Sequence, residues 1–270
     1  MAGSFYPAQP ARLARDVASL LAAAPAPDAP GPHAPPPDPV AVLGLLAPHA
    51  GYVYSGAVAG ATYARVVVPE RVVVLCPNHT GLGVMVALWP DGAWVTPLGR
   101  VPVDAELVDA LLACPLVESD RAAHLREHAL EVQLPFLQTL RPGVRIAALC
   151  LGPLGVDEAE TLGRAIAAVL RRWPALLVAS SDMSHYVPAE VARRQDRRAL
   201  DRVLALDARG LHQVCRREHI SMCGVVPATV MLAAARELGA RSAELVRYAT
   251  SGDVTGDQES VVAYAGMLVH

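Results

Sequence analysis

Three short apolar segments of this chain each run into a polar loop that carries a histidine. The loops span residues 48–52 with His49, residues 77–81 with His79, and residues 180–186 with Asp182 and His185. In an α/β sheet, ligands gather outside the carboxyl ends of parallel strands, so loops that follow such strands meet at one edge. Neutral imidazole is the most common side-chain metal ligand, and two imidazoles with one anionic ligand leave coordination positions open. The pattern therefore predicts a metal site in which His49 and His79 are ligands.

The third loop carries a carboxylate and a histidine close together. Ser181 or Asp182 alone would be typical of a residue that only caps the next turn. A cap does not need His185 three residues further on. We therefore interpret Asp182 and His185 as an acid/base pair or as groups that orient the metal ligands.

The anionic third ligand is harder to assign from the residues. An odd number of cysteines without CxxC spacing argues against a disulfide framework and against a zinc ribbon. Cys223 is the best cysteine candidate, because it precedes a helical pattern and a helix N-terminus favours the thiolate. Cys76 is expected to face the core. The other three have no polar partners in the sequence: Cys114, Cys150 and Cys215.

A further segment, residues 127–136, carries two glutamates and a histidine in a predicted helix. Helical spacing places Glu127, Glu131 and Leu134 on one face, with His128 next to it. Spacing alone does not distinguish a catalytic His128 from a histidine on the helix surface. The remaining histidines have no supporting context: His33, His124, His212, His219 and His270.

Short apolar strands alternate with amphipathic helices along most of the chain. The predicted strands are residues 40–46, 72–76, 144–151 and 176–179. One helix is predicted after Pro10, and the others are residues 104–114, 128–140, 156–171, 188–206 and 225–238. This alternation predicts an α/β three-layer sandwich with a mainly parallel central sheet covered by helices on both faces. Two last segments are predicted to add an antiparallel strand pair at one edge: residues 243–250 and 260–269.

Length and composition are typical of one globular domain. The 270 residues are 53% hydrophobic, so we expect a single domain over residues 1–270. Prolines crowd residues 25–39, which we interpret as a surface connection inside that domain. The net charge of −3 and the lack of basic tracts argue against nucleic acid as a partner. No leader pattern and no apolar run of membrane-helix length is found, so we expect a soluble cytoplasmic protein.

Taken together, six motifs resemble those of the Memo family, whose bacterial and archaeal members are called AmmeMemoRadiSam system protein B. The match extends from residue 2 to the end of the chain, in the family's order. The motifs are residues 2–7, 48–56, 77–81, 127–136, 180–186 and 223–224.

That resemblance implies a fold similar to the class III extradiol ring-cleaving dioxygenases, in which two histidines and a glutamate hold ferrous iron. His49 and His79 match the two histidines, and His185 matches the acid/base histidine. Cys223 stands where the dioxygenases have their carboxylate. Because a thiolate is softer than a carboxylate, the ligand set favours iron(II), copper(I) or zinc and argues against inherited extradiol chemistry.

The residues and the resemblance together predict a metal-dependent oxidoreductase that acts on a small aromatic or phenolic molecule. In this interpretation His49, His79 and Cys223 bind the metal, most simply iron(II), while His185 and Asp182 are catalytic. The alternative is a non-catalytic protein that uses the same crevice to bind a peptide or partner, or to hold metal. The family's second name implies association with an AMMECR-type protein and a radical SAM protein. The sequence does not identify the native metal, the substrate or the oligomeric state.

Overall fold

The structure of this protein is a computed structural model that describes residues 1–23 and 38–270. Most of the proline-rich connection predicted at residues 25–39 lies outside the described residues. His33 lies outside them as well. The assignment of residues 1–270 to a single domain stays a prediction.

The described residues contain strands that build one large sheet and a separate hairpin. The strands are β1 (Gly44–Ala47), β2 (Arg71–Pro77), β3 (Val86–Leu88), β4 (Ala93–Thr96), β5 (Gly99–Pro102), β6 (Glu118–Ser119), β7 (Arg145–Leu151), β8 (Leu176–Ser180), β9 (His185–Val187), β10 (Ala243–Thr250) and β11 (Val261–Val269). The order in the large sheet is β10-β11-β1-β8-β2-β7-β3-β6, and β9 pairs with β11. Strands β1, β8, β2 and β7 run parallel. Strand β11 is antiparallel to β1 and to β10, β3 is antiparallel to β7, and β6 pairs with β3 in parallel. The hairpin is β4 with β5.

Helices cover both faces of this sheet. They are α1 (Pro10–Ala22), α2 (Tyr52–Tyr63), α3 (Ala105–Leu112), α4 (Leu134–Leu140), α5 (Val156–Leu170), α6 (Ala189–Leu204), α7 (Ala208–Arg217), α8 (Val225–Glu237) and the short α9 (Gly252–Thr255). Helices α1, α2 and α4 pack together on one face, and α5 and α8 pack together on the other. Among the described residues, no helix combines the length and the apolar character that crossing a membrane requires.

The central strands are apolar without interruption because both of their faces are buried. Along β2, Val73 and Leu75 belong to the core under α5 and α8, while Val72 and Val74 belong to the core under α1, α2 and α4. Successive side chains of a strand point to opposite faces, so each strand feeds both cores. The prediction of a three-layer α/β sandwich with a mainly parallel sheet is confirmed.

The predicted helix over residues 128–140 is wrong in its first half. The chain forms a turn and then a 3-10 helix at Glu131–Gln133, and α4 begins only at Leu134. Pro135 lies in the first turn of α4, where its missing N–H costs no hydrogen bond. A helix begun at residue 128 would have placed that proline in its interior, where it breaks the hydrogen-bond ladder.

Two other helices differ from the pattern-based prediction. The helix predicted over residues 188–206 ends at Leu204, and a separate helix, α7, follows it. Helix α2 was not predicted, because most of its residues are buried and its apolar side chains show no one-sided stripe. The predicted strand pair at the end of the chain is confirmed as β10 and β11, and the connection between them contains α9.

Candidate metal centre

Three neighbouring parallel strands bring the histidine loops to one edge of the sheet. Strand β1 ends two residues before His49, β2 ends two residues before His79, and β8 ends two residues before Asp182. These strands are adjacent in the order β1-β8-β2. Because all three run in the same direction, their carboxyl ends open into one crevice.

His49 is buried and its ring is held in one tautomer by a chain of hydrogen bonds. The Ser180 hydroxyl donates to the Ala129 carbonyl at 2.6 Å and accepts from the Gln133 amide at 2.8 Å. Its proton is therefore used, so the His49 Nδ1–H donates to Ser180 Oγ at 2.9 Å. The Nε2 lone pair of His49 faces the Cys223 sulfur, which lies within hydrogen-bonding distance at 3.2 Å. Burial, together with the charge of His79, lowers the pKa of His49 to about 3, which keeps the ring neutral.

The imidazole of His79 is held in the same way by a carboxylate. The buried Glu127 accepts the His79 Nδ1–H at 2.9 Å and the His79 backbone N–H at 2.7 Å. It also accepts the Ala129 N–H at 2.9 Å. Burial alone would raise the pKa of Glu127, but these hydrogen bonds outweigh it and lower that pKa to about 2. Glu127 is therefore an anion when it orients the His79 ring, and the His79 Nε2 is left for another partner.

Cys223 approaches the two histidines from the loop that precedes α8. Its sulfur accepts the Asp182 N–H at 3.2 Å, and the next residue, Gly224, donates its N–H to Ser181 Oγ at 3.0 Å. A Cβ at Gly224 would overlap the Ser180 carbonyl oxygen and the Ser181 side chain. The absence of a side chain at residue 224 thus lets the Cys223 loop pack against the end of β8. Burial raises the pKa of the Cys223 thiol, with a contribution from Asp182.

The donor atoms of His49, His79 and Cys223 fit a transition metal. One ligand atom from each lies within 4.8 Å of the others. Two neutral imidazole nitrogens and one thiol suit iron, copper or zinc, and each imidazole has its other nitrogen tied to an oxygen, as is usual for metal-binding histidines. A second group at the same edge consists of His79, Glu127 and His128. There, both oxygens of Glu127 already accept hydrogen bonds, so this group fits a metal less well.

A family model described as "Memo-like protein" matches residues 1–268 of this chain. The chain belongs to the Memo family. The prediction of Memo membership from the sequence motifs is therefore confirmed.

Curated Memo relatives resemble the chain over most of its length. MEMO1 family proteins from Aquifex aeolicus and Methanothermobacter thermautotrophicus are 46% and 43% identical, with coverage of 83% of this chain and 84% and 83% of theirs. One from Methanopyrus kandleri is 41% identical over 99% of this chain and 96% of its own. A solved structure of an uncharacterized protein from Escherichia coli K12 aligns with a TM-score of 0.49 at 16% identity, over 74% of this chain and 87% of that one. A similarity at that level supports no conclusion.

In this Memo-family chain, Asp182 contacts two of the candidate metal ligands, one through its carboxylate and one through its backbone N–H. Its carboxylate accepts the His49 N–H at 2.8 Å, and its own N–H donates to Cys223 Sγ. Burial raises the pKa of Asp182, and the His49 N–H opposes that rise. The residue therefore ties the His49 loop to the Cys223 loop.

His185 lies on the same loop as Asp182 and has its own anchor. Its Nδ1–H donates to the Ser221 carbonyl at 2.9 Å, and its backbone N–H donates to Ser221 Oγ at 2.8 Å. These bonds leave Nε2 as a proton acceptor. The ring is close enough to His49 and Asp182 that its charge affects the pKa of both.

His128, whose role the sequence left open, forms part of an aromatic stack at the rim of the crevice. Its ring stacks on Phe5 at 4.3 Å and on His79 at 5.0 Å between centroids. Burial lowers the pKa of His128 to about 4, and the neighbouring His49 contributes to that shift. The predicted common face of Glu127 and Glu131 is wrong, because Glu127 binds His79 whereas Glu131 accepts from the Tyr6 hydroxyl.

Sequence reasoning missed the residues that hold the imidazoles. Ser180, Gln133 and Ser221 each bond a site residue directly or through one other group. Ser180 and Gln133 lie inside two of the motifs that resemble the Memo family, but a serine at a strand end and a glutamine in an apolar run give no signal of their own. In the part of the chain that the structure describes, the two other buried histidines bind backbone carbonyls instead: His124 to Ala87 and His212 to Leu154.

Proposed function

We propose that this Memo-family protein binds a transition metal through His49, His79 and Cys223 and acts as an oxidoreductase on a small aromatic or phenolic molecule. The observation that carries the proposal is the convergence of the three donor atoms, with each imidazole fixed through Nδ1. Such fixing holds Nε2 towards a common point, which is the usual arrangement of metal-binding histidines.

Iron(II) is the proposed metal, with copper(I) and zinc as the alternatives. Imidazole binds all three, and a thiolate adds softness that disfavours magnesium, calcium and manganese. Cys223 must lose its proton on binding, and its position before α8 supports the thiolate through the helix dipole. When bound, any of the three would orient a phenolic oxygen, and iron or copper would also supply redox chemistry, which zinc cannot.

Three residues around the proposed metal have separate roles in proton transfer, in orienting the ligand loops and in shaping the crevice. His185 accepts a proton at Nε2 from a hydroxyl of the bound molecule, because its Nδ1–H is donated to Ser221. Asp182 orients the loops of His49 and Cys223 through backbone hydrogen bonds. The half-buried ring of His128 forms one side of the crevice through its stack with His79.

Titration with catechol tests the proposal. Protein loaded anaerobically with iron(II) is expected to give a metal-dependent absorption change with catechol, and metal-free protein is expected to give none. We expect modest or no ring cleavage, since a thiolate ligand is itself open to oxidation by dioxygen. If no phenolic compound gives a metal-dependent signal, the oxidoreductase proposal fails. The crevice would then serve a peptide or protein partner, or metal storage.

A second prediction concerns the carboxylate behind His79. Glu127→Gln is expected to weaken metal binding by roughly 10–100-fold, the usual effect of removing a partner that orients a ligand. The amide keeps one acceptor oxygen, so its NH2 group would face either the His79 ring and the Ala129 N–H or the His79 backbone N–H, each of which needs an acceptor.

Affinity is measured by competition with a chromophoric chelator. The matched control is Glu131→Gln in the neighbouring 3-10 helix, whose carboxylate accepts from the Tyr6 hydroxyl and contacts no proposed ligand. Equal affinities for the two variants would show that Glu127 does not orient a metal ligand.

A further inference from the structure

The segment of residues 184–186, where the chain enters β9, contains a strained residue. Tyr186 has a φ of 56°, in the left-handed region that bulky residues seldom adopt, and its side chain is 78% exposed. Such a conformation persists only where the surrounding structure fixes it. Since Tyr186 is exposed, contacts of its neighbours must fix the backbone of this segment.

The buried carboxylate of Asp196, on α6, contacts this segment at Ser184. Asp196 is fully buried, and one of its oxygens accepts both the Ser184 N–H at 3.1 Å and the Ser184 hydroxyl at 2.6 Å. The other oxygen accepts the Tyr248 hydroxyl at 2.7 Å. A carboxylate is costly to bury without such partners. None of the metal-centre interactions described above uses Asp196.

Ser184 is fixed on two sides, and His185 follows it directly. The Ser184 carbonyl accepts the Ala263 N–H from β11 at 2.9 Å, opposite the contacts to Asp196. The next residue, His185, is bonded to Ser221 through both its backbone and its ring. A shift of Ser184 therefore changes the position from which His185 reaches Ser221.

We propose that Asp196 is a positioning residue for His185, acting through Ser184. By holding Ser184, it keeps the strained segment in place and so preserves the His185 hydrogen bond to Ser221 that fixes the orientation of the ring. This inference rests on the proposed function only for the proton transfer assigned to His185. The positioning itself is open to measurement without metal.

The experiment is nitrogen NMR of the full chain labelled with ¹⁵N-histidine, metal-free and zinc-loaded, with His185 identified by His185→Gln. The wild type is expected to show His185 protonated at Nδ1. In Asp196→Ala the ring is expected to become a mixture of both tautomers, and catechol affinity of the iron(II) form is expected to fall roughly tenfold, as for loss of an orienting partner. Asp196→Asn keeps one oxygen for Ser184 and is expected to restore most of the wild-type signal.

Two controls separate positioning from stability. Asp104 is another fully buried carboxylate, paired with Arg71 and placed at the opposite ends of the strands. Asp104→Ala is expected to lower the melting temperature without changing the His185 signal. Tyr248→Phe removes only the second partner of Asp196 and is expected to leave the tautomer unchanged.

An unchanged His185 tautomer in Asp196→Ala would overturn the proposal, whatever its melting temperature. If that variant does not fold, Ser184→Ala decides instead. It removes only the hydroxyl contact, and an unchanged His185 signal there would equally overturn the proposal. If the wild type binds no catechol while the tautomer responds as expected, the proposed function fails and the positioning role of Asp196 stands.

Discussion

His49→Ala and His79→Ala are each expected to abolish stoichiometric metal binding while the fold is retained. The loss should exceed about 100-fold in affinity, because removing an orienting partner alone costs up to that much. His79 lies in a loop with its side chain 35% exposed, so its truncation should leave the core intact. His49 is buried and bonds Ser180, so its truncation should also cost about 1–3 kcal/mol of unfolding free energy.

Elemental analysis after purification measures the metal, and circular dichroism reports the fold. His212→Ala is the control, because that buried histidine bonds the Leu154 carbonyl and lies outside the candidate site. The control should keep its metal even if it is less stable. Unchanged metal content in both His49→Ala and His79→Ala would rule out the proposed site.

Gly224→Ala is expected to destabilise the protein by about 3 kcal/mol and to weaken metal binding at the same time. The new Cβ would overlap the Ser180 carbonyl and the Ser181 side chain at the end of β8. Overpacking of this kind costs about 1–3 kcal/mol and sometimes more, and a backbone carbonyl in a central strand gives little room for relief. The displacement would move Cys223 away from His49, because Cys223 is the adjacent residue.

Urea unfolding measures the first effect and chelator competition the second. Gly155→Ala is the control, since a Cβ there would meet only the flexible end of the Glu158 side chain, at 3.3 Å. It is expected to change the free energy of unfolding by less than about 1 kcal/mol, as for exchange of a glycine at a helix N-cap. Equal stability of the two variants would contradict the close packing assigned to Gly224.

The fold followed from the sequence where periodicity is strong. Apolar runs such as β7 and β8, separated by amphipathic helices such as α5, indicate a buried parallel sheet covered by helices. Helix α2 is not predicted by periodicity, because it is buried almost throughout and its sequence lacks the polar face by which a helix is recognised. Its first residue, Tyr52, belongs to the segment 48–52 that the sequence predicts as a polar loop.

The sequence predicts the candidate metal ligands, but it does not predict the residues that hydrogen-bond them. Strand-end position pointed to His49 and His79, and the structure brings both close to Cys223. The hydrogen bonds that fix the rings depend on distant residues, such as Gln133 acting through Ser180. Contacts of this kind join segments that no local pattern connects. Periodicity also misassigned Glu127, because a turn and not a helix directs it to His79.

A crystal structure of the metal-loaded protein, with anomalous scattering at the absorption edge of the metal, tests the central claim most directly. We predict one strong peak bound by His49 Nε2, His79 Nε2 and Cys223 Sγ, at about 2.0–2.1 Å from nitrogen and about 2.3 Å from sulfur. The Nδ1 bonds to Ser180 and Glu127 should persist in that structure. A peak held instead by Glu127 and His128, or a Cys223 sulfur turned away from both histidines, would contradict it.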